Sequence, residues 1–246
     1  MVIGRSPEET YWEFFRADRA KDAKAWAAVM NFPHVRVAAP GRIEYFRTEE
    51  EFVAATDWTE RIATGWVRTE GIEPRVIQFA RYKVHLAGGW VRYNAENEPI
   101  LANRVVYVLT RVKDSWCVQA RLACGATATW KQVADEGSGN FVTHFLELFG
   151  HGEVEACASL IRYPFVVVGK GTVCRFESKT SFIQTLSQLH MSPIEIDDIA
   201  LVQNGQKGAN FGVSFATDDG RSDHAICLID KRHEDYRLTA ISLISC

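Results

Sequence analysis

The spacing of apolar and polar positions changes several times along the chain, and each change marks an element. Ser6-Pro7-Glu8-Glu9 supplies a hydroxyl N-cap, a proline at the first helical position and a glutamate three residues after the cap. Tyr11, Trp12, Phe14 and Phe15 then share one broad face, which predicts a helix buried along that side. The charged run RADRAKDAK makes a turn, and a short helix is expected through Trp26 to Met30. Two short strands and a third helix follow, the helix starting at Thr48 with Glu51 in the capping position. Beyond it lie four runs rich in β-branched and aromatic residues, 72–80, 82–94, 100–113 and 115–124, which read as long strands. The GG pair at 88–89 and KDS at 113–115 have turn chemistry.

The same order recurs in the second part of the chain. Phe32-Pro33 matches Tyr163-Pro164 at an offset of 131, and Gly41, Ile43, Phe46, Thr48 and Phe52 match Gly171, Val173, Phe176, Ser178 and Phe182 at 130. RVVYVLTRVKDSWCVQA (104–120) matches HAICLIDKRHEDYRLTA (224–240) at 120, and Phe14 and Phe15 match Phe145 and Leu146. Three blocks in one order, with length changes only between them, indicate an internal duplication. Turns are expected at NGQKG (204–208), TDDG (217–220) and RHED (232–235). The polar ADEGSG (134–139) reads as the linker, so domains are expected at 1–132 and 138–246. In VVYVLTRV and AICLIDK both alternating faces are apolar, so each sheet is expected to cover its helices with one face and its sister sheet with the other. That intramolecular pairing leaves association with further copies open.

Composition narrows the class. The 246 residues are 47% hydrophobic and 24% charged, with a net charge of −3, as in ordinary globular domains. Neither half is basic enough for a nucleic-acid surface, so no nucleic-acid partner is expected. No run approaches the roughly 20 apolar residues of a membrane span, so no membrane partner is expected either. MVIGRSPEETYWEF lacks an apolar signal core, and a cytoplasmic location is expected. The six cysteines form no C-x-x-C pair and read as small buried apolar residues, with Cys246 the most exposed. There is no P-loop, no G-x-G-x-x-G, no G-x-S-x-G and no H-E-x-x-H; neither a metal site nor a cofactor is expected.

Element order and the pattern (aromatic)-P-x-V-x-V…G…F-[TS]-x-x-x-F resemble the nuclear transport factor 2-like superfamily, which includes ketosteroid isomerases, SnoaL-type polyketide cyclases, scytalone dehydratase and limonene epoxide hydrolase. The resemblance spans nearly the whole chain, twice. It implies an α+β fold of two cone-shaped, cystatin-like domains related by a pseudo-two-fold axis. Each would carry three helices on a strongly curved, mainly antiparallel sheet around an apolar cavity.

The catalytic groups the resemblance implies are not matched. The isomerase base would fall near Ala38 or Ala39, and near Gly169 or Lys170 in the second copy; none is a carboxylate. The helix-borne tyrosine would fall at Phe14, and the second oxyanion donor at Tyr107 or Cys227. Arg104 or Arg121 could stand in an epoxide-hydrolase arrangement, but no strand-borne Asp accompanies them. His85, His190 and His224 are the candidates for a dehydratase-like histidine, and a lone strand histidine more often serves structure. Arg104 and His224 hold matching positions, either a polar slot in both cavities or an exposed strand end.

The copies differ in one respect. All seven tryptophans lie in the first 130 residues, and TDWTERIATGWVRTEG (56–71) is extra there, a segment placed to lid the cavity. Large rings with polar tips suit a pocket for a flat or hydrophobic molecule, although they also fill a core. The expected function is binding of a small hydrophobic ligand in the first cavity, with Tyr11, Phe15, Trp58, Trp66, Trp90, Arg104 and Tyr107 as lining candidates and His190 and His224 in the second. Were the chain an enzyme, an isomerase, cyclase or dehydratase reaction on a small carbonyl compound would be expected. The alternative is a non-catalytic structural or protein-interaction module with both cavities filled.

Overall fold

A computed structural model describes residues 4–112, 114–128, 136–188, 194–217, 220, 222–233 and 235–245. The first half runs α1 (Pro7–Ala20), α2 (Ala23–Ala27), β1 (Met30–Ala38), β2 (Arg42–Phe46), α3 (Glu49–Ala55), α4 (Thr59–Ala63), β3 (Arg68–Gly71), β4 (Arg75–Phe79), β5 (Lys83–Tyr93), β6 (Pro99–Val112) and β7 (Ser115–Ala123). The second runs α5 (Glu136–Gly150), α6 (Val154–Ser159), β8 (Ile161–Val168), β9 (Val173–Phe176), α7 (Lys179–Leu186), β10 (Ile194–Asn204), β11 (Gly208–Thr217), β12 (Ser222–Arg232) and β13 (Asp235–Leu243). His190, Trp130 and Cys246 lie outside the described residues, as does much of the expected linker.

The halves share one strand order. In the first sheet it is β2-β1-β7-β6-β5-β3, with β4 also on β5; in the second, read from the other edge, it is β9-β8-β13-β12-β11-β10. Pairing is antiparallel except β1 with β7 and β8 with β13, which are parallel. Equivalent residues keep equivalent partners: Arg36 faces Arg121 across β1 and β7, and Val167 faces Ile241 across β8 and β13. This is an α+β architecture in two pseudo-repeated copies.

Local chemistry accounts for the elements. Ser6 accepts from the Glu9 amide while Glu9 accepts from the Ser6 amide, closing the capping box of α1. Three expectations change. The extra segment forms a fourth helix, α4, with no counterpart among the described residues of the second half. The run at 72–80 yields only β4, and the long edge strand β10 is represented by two pieces, β3 and β4, because Pro74 between them lacks an N–H for the ladder. The GG pair sits inside β5 rather than in a turn. A Cβ on Gly88 would lie 2.5 Å from the Tyr11 hydroxyl oxygen, and one on Gly89 would lie 2.2 Å from the Asn103 carbonyl oxygen, so the glycines let α1 and β6 approach the strand.

The two sheets pack back to back. Val35, Val37, Val106, Val108, Ala120 and Leu122 of the first meet Val166, Val168, Ile226, Leu228 and Ala240 of the second, all fully buried. The other faces carry the helices: one core gathers Tyr11, Phe14, Trp26, Phe52, Val105 and Tyr107, the other Phe145, Phe165, Phe182, Phe211 and Cys227. Buried polar groups fringe the contact between sheets. Lys83 Nζ donates to the Val168 carbonyl at 3.0 Å, Gln203 Nε2 to the Gly88 carbonyl at 2.7 Å, and Asn210 Nδ2 to the Leu122 carbonyl at 3.0 Å. Each ties a side chain of one half to a backbone carbonyl of the other, which fixes the register of one sheet on the other. Among the described residues no helix is long and apolar enough to cross a membrane.

Because every tryptophan belongs to the first 130 residues, tryptophan fluorescence reports unfolding of the first half only. Leu228→Ala, in the second half, should cost about 2–5 kcal/mol and lower the denaturation midpoint seen by fluorescence and by far-UV circular dichroism together. A fluorescence midpoint that stays put would show the halves unfolding independently.

Candidate functional site

On the helix side of the first sheet lies a cavity of about 590 Å³. Its walls come from three sources. α2 and α3 give Trp26 and Phe52, the strands give Arg36, Glu44, Arg92 and Arg121, and the extra segment gives Asp57, Glu60, Arg61 and Thr64. A small inner space of about 20 Å³ shares Trp26, Arg36, Arg61, Arg92 and Arg121 with it and is lined further by Phe14, Phe15, Asp18, Thr69 and Trp90. Strand alternation places the arginines: Arg36 on β1, Arg92 on β5 and Arg121 on β7 point to the helix side, while Val35, Val37, Ala120 and Leu122 point to the second sheet.

The charges are unequal in their pairing. Arg61 on α4 binds Asp18, buried on α1, at 2.6 Å. Glu44 takes Arg36 at 3.2 Å and Arg42 at 2.8 Å. Burial pushes the Glu44 carboxyl up, but Arg36, Arg121 and Arg42 together outweigh it and hold the group below its usual range. Arg92 and Arg121 have no ion pair or hydrogen bond among the described residues, and the Nε of each is buried without a partner. Arg92 lies over Trp90 at 4.5 Å; Arg121 lies over Phe14 at 5.3 Å and Trp26 at 5.5 Å. Burial, and then neighbouring positive charge, lowers both guanidiniums to about 9, so they remain cationic at neutral pH.

The sequence-derived candidates separate by position. Phe15 and Trp90 line the small inner space. Trp58 stacks on Trp26 at 6.4 Å, and the buried Trp66 donates from Nε1 to Thr69 Oγ1 at 3.0 Å. The Arg61 guanidinium lies over Trp66 at 5.0 Å and over Trp26 at 5.8 Å, so Trp66 and Trp26 brace the α4 arginine. Tyr11 is fully buried with its hydroxyl donating to the Ile72 carbonyl at 2.6 Å, a structural bond. Tyr107 packs edge-on to Tyr11 at 5.0 Å, and burial above all drives its hydroxyl well above the usual phenol range.

Arg104 and His224 share neither cavity. Both stand on the same strand face as the sheet–sheet residues, Arg104 with Val106 and Val108, His224 with Ile226 and Leu228. His224 accepts or donates at Nδ1 with Ser214 Oγ, 2.8 Å away, beside a groove between the halves. Their matched positions reflect the shared contact, not a shared cavity slot. His85 is buried between Gln78 Oε1 at 2.7 Å and Ser242 Oγ at 2.8 Å, and burial keeps it neutral by lowering its pKa well below the usual range.

Of the cavity arginines only Arg121 is named by the sequence, as a candidate for an epoxide-hydrolase arrangement; Arg36 and Arg92 carry no signal of their own, because the three lie scattered over 85 residues and belong to no motif. The repeat carried the signal. By the same offsets, Asp18, Trp26, Arg36, Tyr107 and Arg121 correspond to Phe149, Cys157, Val167, Cys227 and Ile241. All five counterparts pack in the apolar core of the second half. There Phe145 stacks on Phe149 at 6.2 Å, and a gap beside Phe149, Cys157 and Leu186 is too small for a water molecule.

The lining offers guanidiniums, ring faces and three carboxylates, of which Glu44 is ion-paired to arginine while Asp57 and Glu60 of the extra segment are not, among the described residues; the unpaired guanidiniums Arg92 and Arg121 are groups suited to holding a negative charge. Among the described residues no group of His, Cys, Asp and Glu is arranged to hold a metal ion.

No protein-family model and no curated protein matches the sequence. Among solved structures, the chain is similar to a domain of unknown function with a cystatin-like fold from Nostoc punctiforme (TM-score 0.41, 14% identity, 61% of this chain and 88% of that one). A second cystatin-like protein of unknown function from the same organism gives 0.38 and 14%, over 46% and 83% of the two chains. An NTF-2 like protein of unknown function from Pseudomonas aeruginosa gives 0.37 and 16%, over 45% and 98%. At these identities and TM-scores the likeness says nothing of function, and the two α+β copies are shown by the sheets of this chain itself.

Proposed function

We propose that the first half binds a small organic acid, with its negative group against Arg92 and Arg121 and its apolar body among Phe15, Trp26 and Trp90. The second half serves as the scaffold on which that sheet is built. The observation that carries this reading is Arg121, buried in an open cavity with no ion pair or hydrogen bond among the described residues, and replaced by Ile241 in the copy whose described helix side packs as an apolar core. A buried, unpaired charge is costly to a fold, so a residue that keeps one is accounted for by what it binds. The reading keeps the small ligand expected from the tryptophans and changes its chemistry from neutral to acidic. A volume near 590 Å³ suits a one-ring or short-chain molecule. The interaction-module alternative fits the second half, whose helix side is filled.

Titration with monocyclic aromatic and short aliphatic carboxylates should change the fluorescence of Trp26 and Trp58, while the matching amides should bind at least about tenfold more weakly, since charge-assisted bonds are the stronger ones. Amides that bind as well as acids, or acids that do not bind, would overturn the reading.

Arg121→Met removes the unpaired charge and keeps most of the volume. The ligand-free variant should be as stable as the parent or more stable by about 1–2 kcal/mol in denaturant, while acid binding weakens. A strongly destabilised variant would mean that Arg121 serves the fold.

A further inference from the structure

The acid-binding reading leaves open how many negative charges the ligand carries, and the pairing of the cavity arginines bears on this. Arg61 is engaged by Asp18, and Arg36 and Arg42 by Glu44. The remaining two, Arg92 and Arg121, both line the cavity and the small inner space. The guanidinium carbon of each lies over aromatic rings, which accept no N–H bond of the ordinary kind, and neither guanidinium makes a hydrogen bond among the described residues. Arg121 is 9% exposed, and its Nε is buried without a partner. Its neighbour across the β1–β7 ladder is Arg36, whose positive charge bears on both Arg92 and Arg121.

We infer that the ligand is a small organic dianion, one negative charge for each of the two unengaged guanidiniums, carried on an apolar body. The inference rests on the acid-binding reading above. A monoanion would leave one guanidinium uncompensated in a site of low dielectric, next to further positive charge. Two chemistries supply the double charge: a phosphate monoester, with both charges on one head group, or a dicarboxylate, with one on each of two.

The test is titration of the intact protein at pH 7.5 with phenyl phosphate, isophthalate, benzoate and benzamide, followed by tryptophan fluorescence and calorimetry. Phenyl phosphate, isophthalate or both should bind at least about tenfold tighter than benzoate, in line with the greater strength of charge-assisted bonds. If the phosphate ester is preferred, its advantage should fall at pH 5, because the second ionisation of a phosphate monoester lies at about 6. Isophthalate should keep its advantage there. Arg92→Leu and Arg121→Leu should each reduce the better dianion to the affinity of benzoate. Benzoate binding as tightly as both dianions would overturn the dianion and leave the acid-binding reading standing. Variants that weaken all three anions by one common factor would overturn the one-charge-per-arginine assignment. Benzamide binding as well as benzoate, or no binding by any probe, would overturn both.

Discussion

The apolar contact between the backs of the two sheets is the constraint on which the rest depends. Eleven fully buried residues, six from the first sheet and five from the second, meet there. An exposed pair of such faces would be an aggregation surface; placed against each other within one chain they bury large aliphatic side chains, each worth about 1.5–3 kcal/mol. The buried donors at the margin, Lys83, Gln203 and Asn210, turn a greasy contact into one of defined register. With both backs used in this way, each helix side faces outward, and the two helix sides are free to differ.

They differ in charge. In the first half the strand face under the helices holds Arg36, Arg92 and Arg121, three cations in a space rimmed by Asp18 and Glu44. Such a cluster lowers the stability of the half that carries it, because desolvated like charges repel. The second half carries Val167 and Ile241 where the first has Arg36 and Arg121, and rings and thiols elsewhere, and so it forms an ordinary apolar core. Joining the two lets one copy's core support the other copy's charged site, a form of the exchange between stability and function common in binding proteins. The extra segment completes the division: α4 brings Arg61 over the cavity and is held there by Asp18 and by the faces of Trp26 and Trp66.

Much of the fold is legible in the sequence because its signals are local or repeated. The Ser6–Glu9 capping box, the turn at Asp114 and the two-faced apolar strands each state their own structure. The repeat supplies the pairing of the halves. What is not legible depends on contacts distant in sequence. Gly88 and Gly89 read as a turn because glycine chemistry is the same whether the chain reverses or another group approaches closely; only the packing of Tyr11 and Asn103 decides. Arg104 and His224 read as cavity residues because strand position alone does not say which face is inward. The tryptophans stand out as a composition signal, yet Trp66 braces Arg61 and Trp58 stacks on Trp26. The role of Arg36 and Arg121 shows only when each is set beside its apolar counterpart, Val167 and Ile241, in the other copy.

The most direct measurement is a crystal of the protein soaked in bromide, with the anions located by anomalous scattering. Halide ions report where buried positive charge is unsatisfied, whatever the natural ligand. The expected result is a strong site between Arg92 and Arg121 on the helix side of the first sheet and none on the helix side of the second. Density on neither helix side, or on both alike, would contradict a charged site confined to one of two back-to-back copies.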